Sequence, residues 1–122
     1  MAATFSKVKL SQSTNGKQIK VVQIVTAGTT IHETGVSATI LDEVWIYAVN
    51  SSSSSVKLTI EWGEATAPDG NIEVTVLPEA GLVTIIPGLV LSGTGSAATT
   101  IKAFAGTANV IMLSGYVNRI TP

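Results

Sequence analysis

The side chains that could do chemistry are few and widely spaced. His32 is the one histidine and sits between Ile31 and Glu33; cysteine is absent. Thiolate nucleophiles, Cys-ligated metals and disulfides are therefore excluded. A Ser-His-Asp arrangement would have to run through His32, yet no Gly-x-Ser-x-Gly elbow precedes any serine. His32 reads as a surface or interface histidine. Beside Glu33, an interfacial imidazole would make an assembly pH-sensitive. Paired carboxylates for glycoside hydrolysis could come from Glu61, Glu64, Glu73 and Glu79. Glu61 and Glu73 fall on the polar faces of strands expected to be neighbours, so they read as solvated face residues. Asp42-Glu43 and Asp69-Gly70-Asn71 are too sparse for a cation loop, and no metal or cofactor site is expected. Ser92-Gly93-Thr94-Gly95-Ser96 resembles part of a phosphate loop but lacks the lysine and the following helix, which leaves a flexible hairpin tip. Lys57, Lys102 and Arg119 form no run and have no interleaved aromatics, so nucleic acid is not an expected partner. Trp45 and Trp62 could stack on a sugar; in alternating strands, core or interface positions are the commoner use.

The elements that must position these residues read as strands. Ser37–Asn50 is the longest, with Val44, Ile46 and Ala48 on one face and Trp45, Tyr47 and Val49 on the other; Asp42 and Glu43 suggest a bend. Five consecutive serines, Ser51–Ser55, have nothing to bury and form a loop tip. Val56–Gly63 alternates cleanly, as does Asn71–Leu77, and Pro68-Asp69-Gly70 between them is a turn. Ile19–Thr26, Thr29–Glu33, Leu82–Ile86, Leu89–Leu91, Thr99–Ala105 and Asn109–Arg119 complete the set. Turn signals recur every 8–12 residues and no segment carries a helical period with caps. The expected fold is all-β, an eight- to nine-stranded antiparallel sandwich, with a jelly roll favoured over an immunoglobulin-like sandwich. Residues 1–18 are polar, with scattered apolar positions, and read as an N-terminal arm. Residues 19–122 read as the sandwich domain.

Composition agrees. The chain has 122 residues, 45% hydrophobic, 5% aromatic and 12% charged, with a net charge of −1. Val, Ile and Thr number 14, 12 and 16, about a third of the chain. By surface scaling such a chain folds as one domain exposing roughly 6,000 Å². There is no basic excess for counterion-driven nucleic-acid binding. No apolar run is long enough to cross a membrane as a helix. The first 18 residues hold no apolar stretch of the kind a secretory signal needs. Chemistry this sparse argues against an enzyme.

Several strands are apolar on both faces: Ile40–Val49, the final strand, and the Val/Ile/Leu-rich stretch Val83–Leu91. A single small core cannot hide them all, and exposed apolar patches of that size mark protein interfaces. A homo-oligomer is expected, with a trimer as the working state. Its interface is assigned to Trp45, Tyr47, Val49, Ile111 and Leu113.

The stretches LDEVWIYAVNSSSSSVKLTIEWG, PDGNIEVTVLPEAGLVTIIPGLVLSG and IKAFAGTANVIMLSGYVNRI together resemble the small jelly-roll capsid decoration, or cement, proteins of tailed bacteriophages. The likeness spans roughly residues 21–120 and rests on overall pattern. It implies a non-enzymatic virion protein on the outer capsid surface, made in the bacterial host cytoplasm, that bridges major capsid protein subunits. Small β-sandwiches of this kind also occur in phage tails and fibres, where receptor or glycan binding is the alternative. Under this resemblance the N-terminal arm would lie on the capsid through Phe5, Lys7, Val8, Lys9 and Leu10.

Overall fold

Period-two patterning in the sequence becomes two antiparallel sheets. The computed structural model describes residues 2–122, so only Met1 of the expected arm lies outside the described residues. Nine strands run in chain order: β1 (Thr4–Lys9), β2 (Ile19–Lys20), β3 (Thr29–Glu33), β4 (Leu41–Asn50), β5 (Val56–Trp62), β6 (Asn71–Val76), β7 (Val83–Ser92), β8 (Thr100–Ala105) and β9 (Ile111–Thr121). The first sheet has the order β1-β9-β4-β7, with β2 also pairing β9; the second has the order β3-β8-β5-β6. Every pairing is antiparallel. No helix occurs among the described residues. The protein is an all-β sandwich.

The two longest alternating runs build the core. Val44, Ile46 and Ala48 of β4 point inward and are fully buried. They meet Leu58 and Ile60 of β5 and Ile101, Ala103 and Ala105 of β8, all fully buried in the same cluster. Each fully buried Leu, Ile or Val contributes about 1.5–3 kcal/mol relative to exposure. β4 lies between β9 and β7 and pairs with β9 along its entire length, Leu41↔Ile120 to Asn50↔Ile111. Asp42 and Glu43 are ordinary positions in that ladder, not a bend. Gly115 of β9 is required there: at φ +154°, an added Cβ would lie 1.9 Å from the Trp45 carbonyl oxygen.

β7 is one strand where the sequence suggested two short ones. Two register shifts against β4 fall at Gly88 and at Ile85, on either side of Pro87, which has no N–H to donate. Gly88 has φ +86°, and its missing Cβ leaves room for the Trp45 ring.

The N-terminal segment is part of the sandwich, not an arm apart from it. β1 pairs with β9 from Thr4↔Thr121 to Lys9↔Tyr116. The chain then crosses to the other sheet, where Gln12 N–H donates to the Ile31 carbonyl. Leu10, between the two, is 1% exposed. Ile19–Thr26 is β-branched, yet only Ile19 and Lys20 form ladder pairs. Beyond them the chain spans the gap between sheets: Val21 N–H bonds the Ile111 carbonyl, and the Gln23 carbonyl accepts from Ala105 N–H. Both sets of backbone groups are thereby satisfied without a regular strand.

Candidate functional site

The residues with chemical potential are drawn inward and spent on one another. His32 is 1% exposed, buried between the sheets and not at a surface. Ser11 N–H donates to its Nδ1 at 2.9 Å, so that nitrogen carries the lone pair. The proton is then on Nε2, which donates to Asp42 Oδ2 at 2.8 Å. Asp42, also 1% exposed, receives Arg119 Nε on Oδ1 at 2.8 Å and Arg119 Nη2 on Oδ2 at 3.0 Å. Burial pushes the Asp42 carboxyl up. Hydrogen bonds from Arg119 and His32, with the charge of Arg119, outweigh it and hold the group below the usual carboxylate range. The same pairing raises Arg119. β3 of one sheet is thus tied to β4 and β9 of the other by a neutral imidazole and an ion pair. Both imidazole nitrogens are occupied and no substrate can reach them, so this is a structural brace.

Glu61 tells a similar story. The alternation of β5 places it on the outer face, where a solvated carboxylate was expected, but it is 1% exposed. The segment before β3 folds over it: Gly28 N–H donates to Oε1 at 2.7 Å and the Thr26 hydroxyl donates to Oε2. Gly28 packs so closely on β8 that an added Cβ would sit 2.3 Å from the Ala103 carbonyl oxygen. Glu73, by contrast, is exposed and pairs with Lys57 at 3.0 Å, a surface contact of little energetic weight. A half-open pocket of about 270 Å³ is bordered by Glu61, Glu64, Thr94, Thr99 and Lys102. No group of three His, Cys, Asp or Glu among the described residues is placed to hold a metal ion.

What remains available is surface. The outer face of the first sheet carries Trp45 and Tyr116, directly opposed across β4 and β9, with centroids 6.1 Å apart and planes 14° from parallel. Lys7 Nζ lies 4.8 Å from the Tyr116 centroid, a cation–π contact. Glu43 accepts from Trp45 Nε1 and Asn118 Nδ2, both at 2.9 Å. The hydrogen bond from Asn118, then that from Trp45, holds the Glu43 carboxyl below its ordinary value. Trp62 sits elsewhere, half-buried against the core.

The second surface is the side of the sandwich formed by β6 and β7. Leu77 and Leu82, flanking the turn between them, are 58% and 64% exposed; Leu89 and Val90 of β7 are 44% and 50% exposed. Among the described residues, β7 has no strand neighbour beyond β4. A free edge with this much apolar area is what soluble proteins ordinarily suppress.

The sequence-assigned contact residues separate accordingly. Trp45, Tyr47 and Val49 do lie together on the outer face, half-buried. Ile111 and Leu113 do not join them: both are fully buried in the core, because β9 presents its odd positions inward from Ile111 to Val117. Phe5, at 69%, and Lys7 and Lys9 are exposed on β1, and Val8 is half-buried. Leu10 is core and unavailable to a partner. The surplus apolar surface expected of Val83–Leu91 includes exposed Leu89 and Val90, whereas nothing in the sequence signalled the burial of His32, Asp42 and Glu61. No family model and no curated protein sequence matches the chain.

Proposed function

We propose that this is a structural virion protein: a homo-oligomer, trimeric in its working state, that decorates a phage capsid and stabilises the shell. The observation that carries the reading is the exposed apolar edge of β6 and β7, at Leu77, Leu82, Leu89 and Val90, in a chain whose reactive groups are consumed internally. Such an edge calls for a protein partner. The strand orders β1-β9-β4-β7 and β3-β8-β5-β6, setting aside the two-residue β2, are those of two interleaved Greek keys. They support a jelly roll, an architecture used by capsid proteins and lectins. Capsid docking is assigned to the outer face of the first sheet, where Phe5 and Lys7 join Trp45 and Tyr47.

The test has two parts. Light scattering should give a mass near three times 12.5 kDa. Purified shells lacking the protein should bind it and gain resistance to heat or chelator disruption. A monomer at micromolar concentration, or shells that neither bind nor gain stability, would overturn the reading.

A second reading, a glycan-binding module of a tail or fibre, is favoured by one observation. The Trp45–Tyr116 pair lies beside the hydrogen-bonding groups of Glu43 and Asn118. Quenching or blue-shift of tryptophan emission on titration with cell-surface oligosaccharides would support it over capsid docking.

A further inference from the structure

The loop between β1 and β2 brings together the parts of a spontaneous backbone reaction. Asn15-Gly16 fills the two central positions of a turn closed by the Lys17 N–H, which donates to the Thr14 carbonyl at 2.9 Å. Their φ values, 57° and 85°, are those of a type I′ turn, which favours this dipeptide. Both residues are exposed, as are Thr14, Lys17 and Gln18, and a Cβ added to Gly16 would meet nothing within 4 Å. Among the described residues, none accepts a hydrogen bond from the Gly16 N–H. The other four asparagines are placed differently. Asn50 is 6% exposed, its amide donates to the Ser54 and Val76 carbonyls, and the next N–H, that of Ser51, is bound to the Val110 carbonyl. Asn71 and Asn118 lie in the ladders of β6 and β9 and precede Ile72 and Arg119. Asn109 precedes Val110, whose branched side chain crowds its own amide nitrogen. Asp69-Gly70 has the sequence for the related aspartyl reaction, but Gly70 is buried and its N–H is held by the Thr66 carbonyl at 3.1 Å.

We propose that Asn15 is a site of spontaneous deamidation and backbone isomerisation through a cyclic imide. The Gly16 backbone nitrogen gives up its proton to hydroxide and attacks Cγ of Asn15. A bond forms between that nitrogen and Cγ, the Cγ–Nδ2 bond breaks, and the side-chain amide leaves as ammonia. Water then opens the ring at either carbonyl. One opening gives aspartate; the other routes the main chain through the side-chain carbons and gives isoaspartate. One water is consumed for each ammonia released, and nothing is oxidised or reduced. Ring closure needs the peptide between the two residues to rotate out of the turn. The Lys17–Thr14 bond and the bond from the Ser13 hydroxyl to the Lys17 carbonyl, 2.7 Å, resist that rotation, and both lie at the surface. Such a loop opens without the sheets separating. The chain is anchored on either side, by Ser11 on His32 before the turn and by Ile19 paired with Leu113 after it. The change is therefore local. It places one more negative charge beside Lys17, in a chain of net charge −1, and leaves the sandwich standing.

The full chain is incubated in mildly alkaline buffer, where more of the amide nitrogen is deprotonated, and sampled by tryptic digestion and mass spectrometry. Cleavage after Lys9 and Lys17 releases residues 10–17, in which Asn15 is the one asparagine. That peptide should acquire the mass gain of amide-to-acid conversion, placed on Asn15 by fragmentation. It should appear as two separable isomers, one of them a substrate for isoaspartyl methyltransferase. The other four asparagines should lag behind it. Guanidinium chloride below the unfolding transition should leave the rate unchanged, since a local opening exposes little surface. A rate that climbs steeply over that range means that conversion waits for global unfolding, and the inference is overturned. It fails equally if residues 10–17 keep their mass in the folded protein while the fully unfolded chain converts there. Aspartate alone, without isoaspartate, would mean direct hydrolysis with no ring, and sinks the mechanism. Asn15→Asp supplies the acidic standard on isoelectric focusing and should show no mass gain in residues 10–17. A gain that persists in this variant would place the reaction on Gln12 and refute the assignment.

Discussion

Replacing Arg119 with alanine tests whether the buried brace holds the sheets together. The change leaves Asp42, 1% exposed, with His32 as its only side-chain partner. Removing one member of a buried ion pair costs about 3–5 kcal/mol. The Arg119 side chain is 32% exposed and the His32 bond survives, so the lower end applies, about 3 kcal/mol. At about 2.1 cal/mol/K per residue, unfolding a chain of this length changes entropy by roughly 0.26 kcal/mol/K, so Tm should fall by about 12 °C. Urea denaturation followed by tryptophan fluorescence, at one fixed protein concentration so that the proposed assembly would contribute equally to both proteins, gives the difference directly. Its pH dependence has a defined sign. In the wild type the folded carboxyl titrates below its unfolded value of 3.8, so its stabilisation is full above that value and lost as pH falls through the lower folded one. Without Arg119, burial dominates and raises the folded value, so Asp42 takes up a proton before the solution becomes strongly acidic. The deficit of the variant should then shrink between about pH 7 and about pH 4. A deficit under about 1 kcal/mol at neutral pH, or one that stays constant or grows on acidification, refutes the argument.

Three further outcomes can be checked by the same methods. Gly115→Ala places a methyl 1.9 Å from the Trp45 carbonyl oxygen at φ +154° and should lose about 3 kcal/mol or more; a near-neutral result would mean β4 and β9 can separate locally. Asn50→Ala removes the amide that donates to the Ser54 and Val76 carbonyls and accepts from Ser52, so about 1–3 kcal/mol should be lost and amide exchange in the serine loop should rise. Deleting residues 1–18 removes buried Leu10 and the Ser11–His32 bond, so the truncated chain should melt earlier as well as lose any docking contact; an unchanged Tm would show that β1 is dispensable.

The strands legible in the sequence were those whose alternation was enforced by one buried face. β4 and β5 follow from period two alone, down to which residues share a side. In β9 the alternation is equally plain, but both faces are apolar, so the pattern could not tell Ile111 and Leu113 from surface positions; only the opposing sheet decides that. The brace was invisible for a different reason. Ser11, His32, Asp42 and Arg119 are brought together across as many as 77 residues of chain, and no local rule links them. Glu61 sits on the polar side of its strand as alternation requires. It is buried because Thr26 to Gly28 fold across that side, a contact spanning 33 to 35 residues. The N-terminal segment looked like an arm because β1 buries so little: five of its six residues are exposed, and backbone pairing to β9 holds it.

That same weakness in side-chain burial gives the two edges of the first sheet different characters. At β1 the edge carries Lys7 and Lys9 beside exposed Phe5, and the lysines discourage unpaired strands of other chains. At β7 the edge is apolar, and protection comes from the backbone instead, through Pro87, Gly88 and the two register shifts. An edge protected only by charge would discourage every copy equally, and one protected only by backbone irregularity would still gather apolar surface without selection. Placed on opposite sides of one molecule, both devices oppose extension of the first sheet by a strand of another chain. The low charge of the chain concentrates its effect, since nearly all the unpaired lysines lie on one edge.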